Sequence, residues 1–273
     1  MLANLLRRQL AMWPELNKRV TALGRLRTRT VRLSDGRLVE IAFNPVRKRS
    51  SGADLSAEAL AARPCFLCGN ARPPEQQVLL HSSGYQLLAN PFPAAWPHYT
   101  IVADEHVPQA IQGRESHFVK WMELLRGMVV FFNGAGCGAS CPDHMHFQAV
   151  EPGAVPLFAD DAVVPAYALP VHAATGAEAV ERLCYALGWL GESADVNVLG
   201  RIESSGRYTI FVVGRRALRP ACYSADPNDM KGYMVSPASL EVAGRIITPL
   251  KKDFDRIDAV TIEAILSEVT LNV

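Results

Sequence analysis

Between residues 3 and 22, Leu5, Leu6, Leu10, Trp13, Leu16 and Val20 recur at roughly helical spacing, and Pro14 predicts a break into two pieces. The period then changes to two. Residues 27–33 and 37–43 alternate around Ser34-Asp35-Gly36, which predicts a hairpin whose second strand turns Val39, Ile41 and Phe43 to one face. Residues 44–64 are polar and irregular, and their charge run, Arg47-Lys48-Arg49, reads on its own as a solvated loop. Short apolar runs at 85–89 and 99–103 predict adjacent strands, joined through Asn90-Pro91-Phe92-Pro93, where two prolines force a defined turn.

Phe118, Met122, Leu125, Val129 and Phe132 predict a core-facing helix over about 115–132. A proline-rich connection at 151–170 precedes a helix of about 177–190, with Val180, Leu183, Leu187 and Leu190 inward. A second hairpin alternates over 195–202 and 208–213, and a final helix falls near 257–269. Strands are linked by hairpins and long excursions rather than by regular βαβ units. The expected fold is therefore α+β, an antiparallel sheet with packed helices.

Length permits either one large α+β domain or two fused half-domains, since 273 residues exceed the usual domain of roughly 100–200. With 49% apolar residues, 20% charged and a net charge of +1, the balance argues against disorder and against a dedicated nucleic-acid binder. No apolar run reaches the ~18 residues of a membrane-spanning helix. The N-terminal Met-Leu-Ala-Asn-Leu-Leu-Arg-Arg places its arginines after the apolar residues, the wrong order for a secretory signal. A cytoplasmic chain with no membrane partner and with reduced thiols is expected.

The chemistry concentrates in residues 133–150, where a small-residue loop runs into His144-x-His146-x-Gln148. Alternation puts these three side chains on one face of an extended strand and turns Met145, Phe147 and Ala149 into apolar packing. Gly134, Gly136 and Gly138 would let backbone N–H groups approach phosphate oxygens. Cys65 and Cys68, as Cys-x-x-Cys, supply half a tetrahedral metal site, and His106 and His144 are the best placed of seven histidines to complete it. A metal-held His144 would leave His146 free to attack phosphorus. Against this, a His-x-His on a strand is commonly structural, Cys137 and Cys141 could form a separate thiol pair, and His81, His117 and His172 read as surface residues.

The ordered set of Cys65-Phe66-Leu67-Cys68, Asn90-Pro91-Phe92-Pro93, the glycine-rich loop and His144-Met145-His146-Phe147-Gln148 resembles the histidine-triad superfamily, in particular its transferase branch. That branch holds galactose-1-phosphate uridylyltransferase and the diadenosine tetraphosphate and GDP-hexose phosphorylases. The resemblance implies His146 as the nucleophile, forming a covalent nucleotidyl-imidazole, and Gln148 as the residue bonding the transferred phosphate. It implies a structural zinc on Cys65, Cys68, His106 and His144, and substrate contacts from Asn90, Asn133, Gly138, Ser140, Arg47 and Lys48. Gln148, where hydrolases of the superfamily usually carry a third His, favours transfer over hydrolysis. The implied donor is a nucleoside diphosphate sugar or a dinucleoside polyphosphate, and the acceptor phosphate or a sugar phosphate. Residues 1–155 are expected to form the catalytic half and 156–273 a degenerate half with a closing helix, a repeat resting on the hairpin at 195–213 and its preceding helix. Superfamily members often dimerise, which adds a homodimer to the expectations. The alternatives are an inactive nucleotide-binding regulatory module that keeps the zinc, and a zinc-stabilised interaction protein in which the His pair binds metal only.

Overall fold

The computed structural model describes residues 2–191 and 194–273. Among them an eight-stranded sheet carries the architecture. Its strands are β3 (Val78–Ser82), β4 (Tyr85–Ala89), β5 (His98–Ala103), β6 (Val129–Asn133), β7 (His146–Val150), β8 (Ala168–Ala173), β9 (Val196–Ile202) and β10 (Tyr208–Gly214), in the order β3-β4-β5-β7-β6-β9-β10-β8. Every pairing in it is antiparallel. The first hairpin, β1 (Arg27–Arg32) and β2 (Leu38–Phe43), belongs instead to a separate three-stranded sheet. There β11 (Arg245–Thr248) pairs in parallel with β2, which the antiparallel expectation did not contain.

Strand alternation decides where the site can lie. On one face Leu87, Tyr99, Ile101, Val130, Phe132, Met145, Phe147, Val198 and Ile210 meet the Glu115–Leu124 and Gly176–Leu190 helices in the larger core. The Leu2–Met12 and Pro14–Leu23 helices, split at Pro14 as expected, extend that core through Leu6, Trp13 and Leu16. On the other face Val129, Phe131, Leu199, Phe211 and Val213 pack against the smaller sheet and the Ala259–Val269 helix. That second face also carries, two residues apart along each strand, His98 and Thr100, His146 and Gln148, Asn133, and Asn197. Polar groups inside this part of the sheet thus lie on one side.

The predicted helix over 115–132 ends at Leu124, and residues 129–133 are strand. Gly127 at φ 92° turns the chain, and Val-Val-Phe-Phe then fits a buried strand better than a third helical turn. Phe118, Met122 and Leu125 keep their inward places, while Val129 and Phe132 point to opposite faces of the sheet. The polar stretch 44–64 is more ordered than a solvated loop, with short helical turns at Pro45–Arg47, Lys48–Ser51 and Ala57–Ala62. Among the described residues no helix is long and apolar enough to cross a membrane.

Candidate active site and metal centre

Four side chains predicted to hold a metal come together. Cys65, Cys68, His106 and His144 place one ligand atom each within 4.8 Å of all the others. Cys65 Sγ lies 3.3 Å from His144 Nδ1, Cys68 Sγ 3.3 Å from His106 Nδ1 and 3.6 Å from His144 Nδ1. Tetrahedral zinc with bonds of about 2.3 Å to sulfur and about 2.05 Å to nitrogen requires sulfur–nitrogen edges of about 3.5 Å. The donor set therefore fits zinc in both chemistry and spacing.

The surrounding bonds fit as well. His144 Nε2 lies 2.9 Å from the Ala103 carbonyl, so its N–H points there and the Nδ1 lone pair faces the cysteines. His106 Nε2 has the Asp143 carboxylate 3.7 Å behind it, and Arg63 donates to the same carboxylate at 3.1 Å. Cys68 N–H donates to the Cys65 carbonyl, closing the tight turn that Cys-x-x-Cys needs. His106 lies beyond the end of β5 rather than on it, and His144 precedes β7.

Two residues beyond His144, His146 is buried and its Nδ1 lies 2.9 Å from the His144 carbonyl. A carbonyl can only accept, so Nδ1 carries the proton and Nε2 keeps its lone pair. Among the described residues no group takes that lone pair. Burial lowers the imidazole's pKa to about 4, so the ring is neutral near pH 7.

Gln148 sits opposite Thr100 on β5 and Phe131 on β6. Its Oε1 accepts from His98 Nε2 at 2.9 Å and from Asn90 Nδ2 at 3.4 Å. His98 can donate there because its Nδ1 is occupied as acceptor for the Ala94 N–H, at 3.1 Å. The pair fixes the amide's orientation and leaves Gln148 Nε2 without an acceptor among the described residues. Asn90 is held in turn: it also donates to Thr100 Oγ1 and accepts from Phe92 N–H. His98 and its tautomer were not predicted as part of the site.

Burial, followed by the nearby Arg47 charge, lowers the His98 pKa to about 3. His98 thus stays neutral when folded, whereas an unfolded His protonates below about pH 6.5. A depressed folded pKa contributes stability in full above 6.5 and loses it as pH falls towards 3. One such group is expected to cost on the order of 2–3 kcal/mol between pH 7 and pH 4.5. Urea unfolding of the native chain and of His98→Asn should therefore show a stability gap that narrows on acidification; a gap constant from pH 7 to pH 4.5 would contradict the neutral His98.

Gln109 was also missed. β6 and β7 pair as far as Phe131 and Gln148 and then separate. The Gln109 carboxamide bridges the opening: Oε1 accepts from His146 N–H at 2.7 Å, and Nε2 donates to the His146 and Asn133 carbonyls, both at 2.9 Å. This buried amide replaces the missing strand contacts and fixes the backbone of His146. No local periodicity marks it, because its partners are remote in sequence.

Asn133 Oδ1 accepts from Asn197 Nδ2 and from both the N–H and hydroxyl of Ser239. Its Nδ2 has no acceptor among the described residues. Gly138 has φ 95°, and a Cβ there would fall 2.6 Å from the Ala238 Cβ, so the loop needs glycine for its turn and for the close approach of 237–238. Ser140 is half-buried beside the metal centre, its carbonyl 3.5 Å from Arg63. Arg47 donates to the Phe92 carbonyl at 2.9 Å, its Nε is buried without a partner, and burial lowers its pKa. Lys48, on the same turn, is exposed. Cys137 and Cys141 do not form a thiol pair: Cys137 packs by Asn197 and Arg215, and Cys141 by Cys65. His117 is half-buried against Tyr85 rather than on the surface, whereas His172 is exposed.

A family model described as a domain of unknown function (DUF4922) matches residues 5–151. No curated protein matches by sequence. Among solved structures, yeast Ap4A phosphorylase Apa2 aligns at 16% identity and a TM-score of 0.61, over 96% of this chain and 97% of that one. Its complex with Ap4A aligns at 16% identity and 0.59, covering 94% and 96%, and its complex with AMP at 18% and 0.56, covering 95% and 96%. At this identity the likeness shows the fold, which is the one the motif resemblance implied.

Proposed function

The chain belongs to the DUF4922 family, and we propose that it is a nucleotidyltransferase of the phosphorylase type, working through a nucleotidyl adduct on His146. The observation that carries this reading is the state of His146: neutral, its Nδ1–H donated to its own strand, its Nε2 free. In the first step Nε2 attacks the donor's α-phosphorus, an N–P bond forms, and the P–O bond to the leaving phosphate breaks. In the second an oxygen of inorganic phosphate or a sugar phosphate attacks the same phosphorus and the N–P bond breaks, returning the imidazole.

Gln148 Nε2, Asn133 Nδ2 and the Ser140 hydroxyl are the donors assigned to the phosphoryl oxygens. Arg47 and Lys48 offset their charge, with Asn90 holding Gln148 and the Gly138 turn shaping the loop. Zinc, held by Cys65, Cys68, His106 and His144, would fix the residue from which the nucleophile strand starts, with no part in the chemistry. Dinucleoside polyphosphates rank first among donors because the yeast phosphorylase of the same fold is described with Ap4A and with AMP. Residues 1–155 form the catalytic half in this reading, and 156–273 the degenerate half, which supplies Asn197 and Ser239 beneath the loop.

Intact-protein mass spectrometry after brief exposure to dinucleoside polyphosphates and nucleoside diphosphate sugars tests the proposal. An added nucleoside monophosphate is the expected result, and its mass names the base. Tight binding with no adduct from any donor would instead make the chain a regulatory module.

Gln109 gives a second test within the same experiment. Gln109→Leu keeps the volume and removes the two bonds to the His146 backbone and the one to the Asn133 carbonyl, so adduct formation should slow by about 10- to 100-fold while AMP affinity changes little. Equal losses in both would mean that Gln109 serves the fold alone.

A further inference from the structure

Cys141 has no place in the four-ligand centre, yet its sulfur lies 3.6 Å from that of Cys65. It is fully buried, whereas Cys65 is half-buried. Arg63 and Asp143 hold it there: Arg63 Nη2 is 3.9 Å from Cys141 Sγ and donates to Asp143 Oδ1, and the thiol is 3.4 Å from the same carboxylate oxygen. Cys141 also follows Ser140 directly and precedes His144 by three residues, so any bond it makes is transmitted to the loop that leads into the nucleophile strand.

We infer that Cys65 and Cys141 form an oxidation site, in which a hydroperoxide converts the pair to a disulfide and dismantles the metal centre. The proposal rests on assigning zinc to the Cys65, Cys68, His106 and His144 cluster. Cys65, the more exposed sulfur, attacks the peroxide; an S–O bond forms, the O–O bond breaks, and hydroxide leaves to become water. Cys141 then attacks the sulfenic sulfur, an S–S bond forms, the S–O bond breaks, and the second water carries away the Cys141 proton. The Cys65 thiolate, the Cys141 thiol, one hydrogen peroxide and one proton from solvent give one disulfide and two waters, the sulfurs losing the two electrons the peroxide gains.

Closing the pair from 3.6 Å to a disulfide of about 2.05 Å draws the sulfurs together by roughly 1.5 Å. Cys65 is then no longer a thiolate ligand, and zinc keeps three donors. The bond also joins the Cys-x-x-Cys turn to the loop carrying Ser140, so oxidation would alter the site from which the nucleophile strand emerges.

The test treats the zinc-loaded full chain with hydrogen peroxide, follows zinc release with a chromogenic chelator, and maps disulfides by peptide mass spectrometry without reduction. The expected result is a Cys65–Cys141 link appearing at the rate of zinc loss, with both reversed by dithiothreitol and added zinc. Cys141→Ser and Cys141→Ala, checked first for unchanged zinc content and circular dichroism, should release zinc at least fivefold more slowly at equal peroxide. A map showing only Cys65–Cys68, or equal release rates with and without Cys141, would overturn the inference. If the purified chain binds no zinc, the zinc assignment fails separately, and the disulfide map still decides whether Cys65 and Cys141 pair.

Discussion

His146→Ala is expected to abolish the nucleotidyl adduct and to lower turnover by at least about 1,000-fold, while AMP affinity stays within a few fold. The size follows from the role. A nucleophile that splits a displacement into two steps has no substitute nearby once its nitrogen is gone, and loss of such a group typically costs several orders of magnitude. In the proposed reading, binding is carried by other groups, namely Gln148, Asn133, Ser140 and the Arg47 turn, so it should survive. The His146 backbone is held by Gln109 rather than by its own imidazole, which favours a folded variant. Circular dichroism and zinc content verify that before kinetics are read. An undiminished adduct in His146→Ala would move the nucleophile elsewhere, whereas unchanged turnover without an adduct would make the reaction a direct displacement.

Gln148→Leu separates the two halves of this arrangement. The amide's free Nε2 exists because His98 and Asn90 occupy Oε1. Leucine removes the donor but not the nucleophile, so the adduct should form slowly rather than vanish. In the proposed reaction the outcome depends on which way an amide and an imidazole face: the Gln148 amide is turned by His98 and Asn90, and the His146 ring by the His144 carbonyl two residues before it.

That dependence marks the limit of what the sequence discloses. The period of two through Met145, Phe147 and Ala149 correctly separated the core face of β7 from the face bearing His146 and Gln148, because strand geometry is local. The four residues the structure brings together were also legible, through the Cys-x-x-Cys pair, the placement of His106 and His144, and the family resemblance that implied the same set. His98 and Gln109 were not. His98 gains meaning only when β5 pairs with β7, and Gln109 only when β6 and β7 separate over it. The predicted helix over 115–132 overran its end because Val129 and Phe132 continue a helical spacing by coincidence, and what stops the helix is the left-handed turn at Gly127. The pairing of β11 with β2 in parallel lies beyond any local pattern, since it joins residues some two hundred apart.

Removing the metal is the second large effect. If Cys65, Cys68, His106 and His144 hold zinc, as their spacing allows, extended dialysis against a strong chelator should lower Tm by roughly 10 °C. Occupancy at about a thousand times Kd is worth about 4 kcal/mol, and each kcal/mol shifts a domain of this size by about 2–4 °C. The response should also be local. The metal turn is packed on the sheet by only a small cluster, Leu67 with Leu88, Val102 and Cys141, whereas each face of the eight-stranded sheet has a large core of its own. Residues 63–72 and 137–146 should therefore gain amide exchange on metal loss while β4, β9 and β10 stay protected, as expected when free energy is unevenly distributed through a fold. Cys68→Ser should reproduce the chelated state without a chelator. Activity should fall in both cases through the displaced start of β7, because His144 links the metal to the strand carrying His146. Zinc restored to the chelated chain should recover Tm and adduct formation together; recovery of Tm alone would separate the metal centre from the nucleophile, and no change in Tm on chelation would remove zinc from the fold altogether.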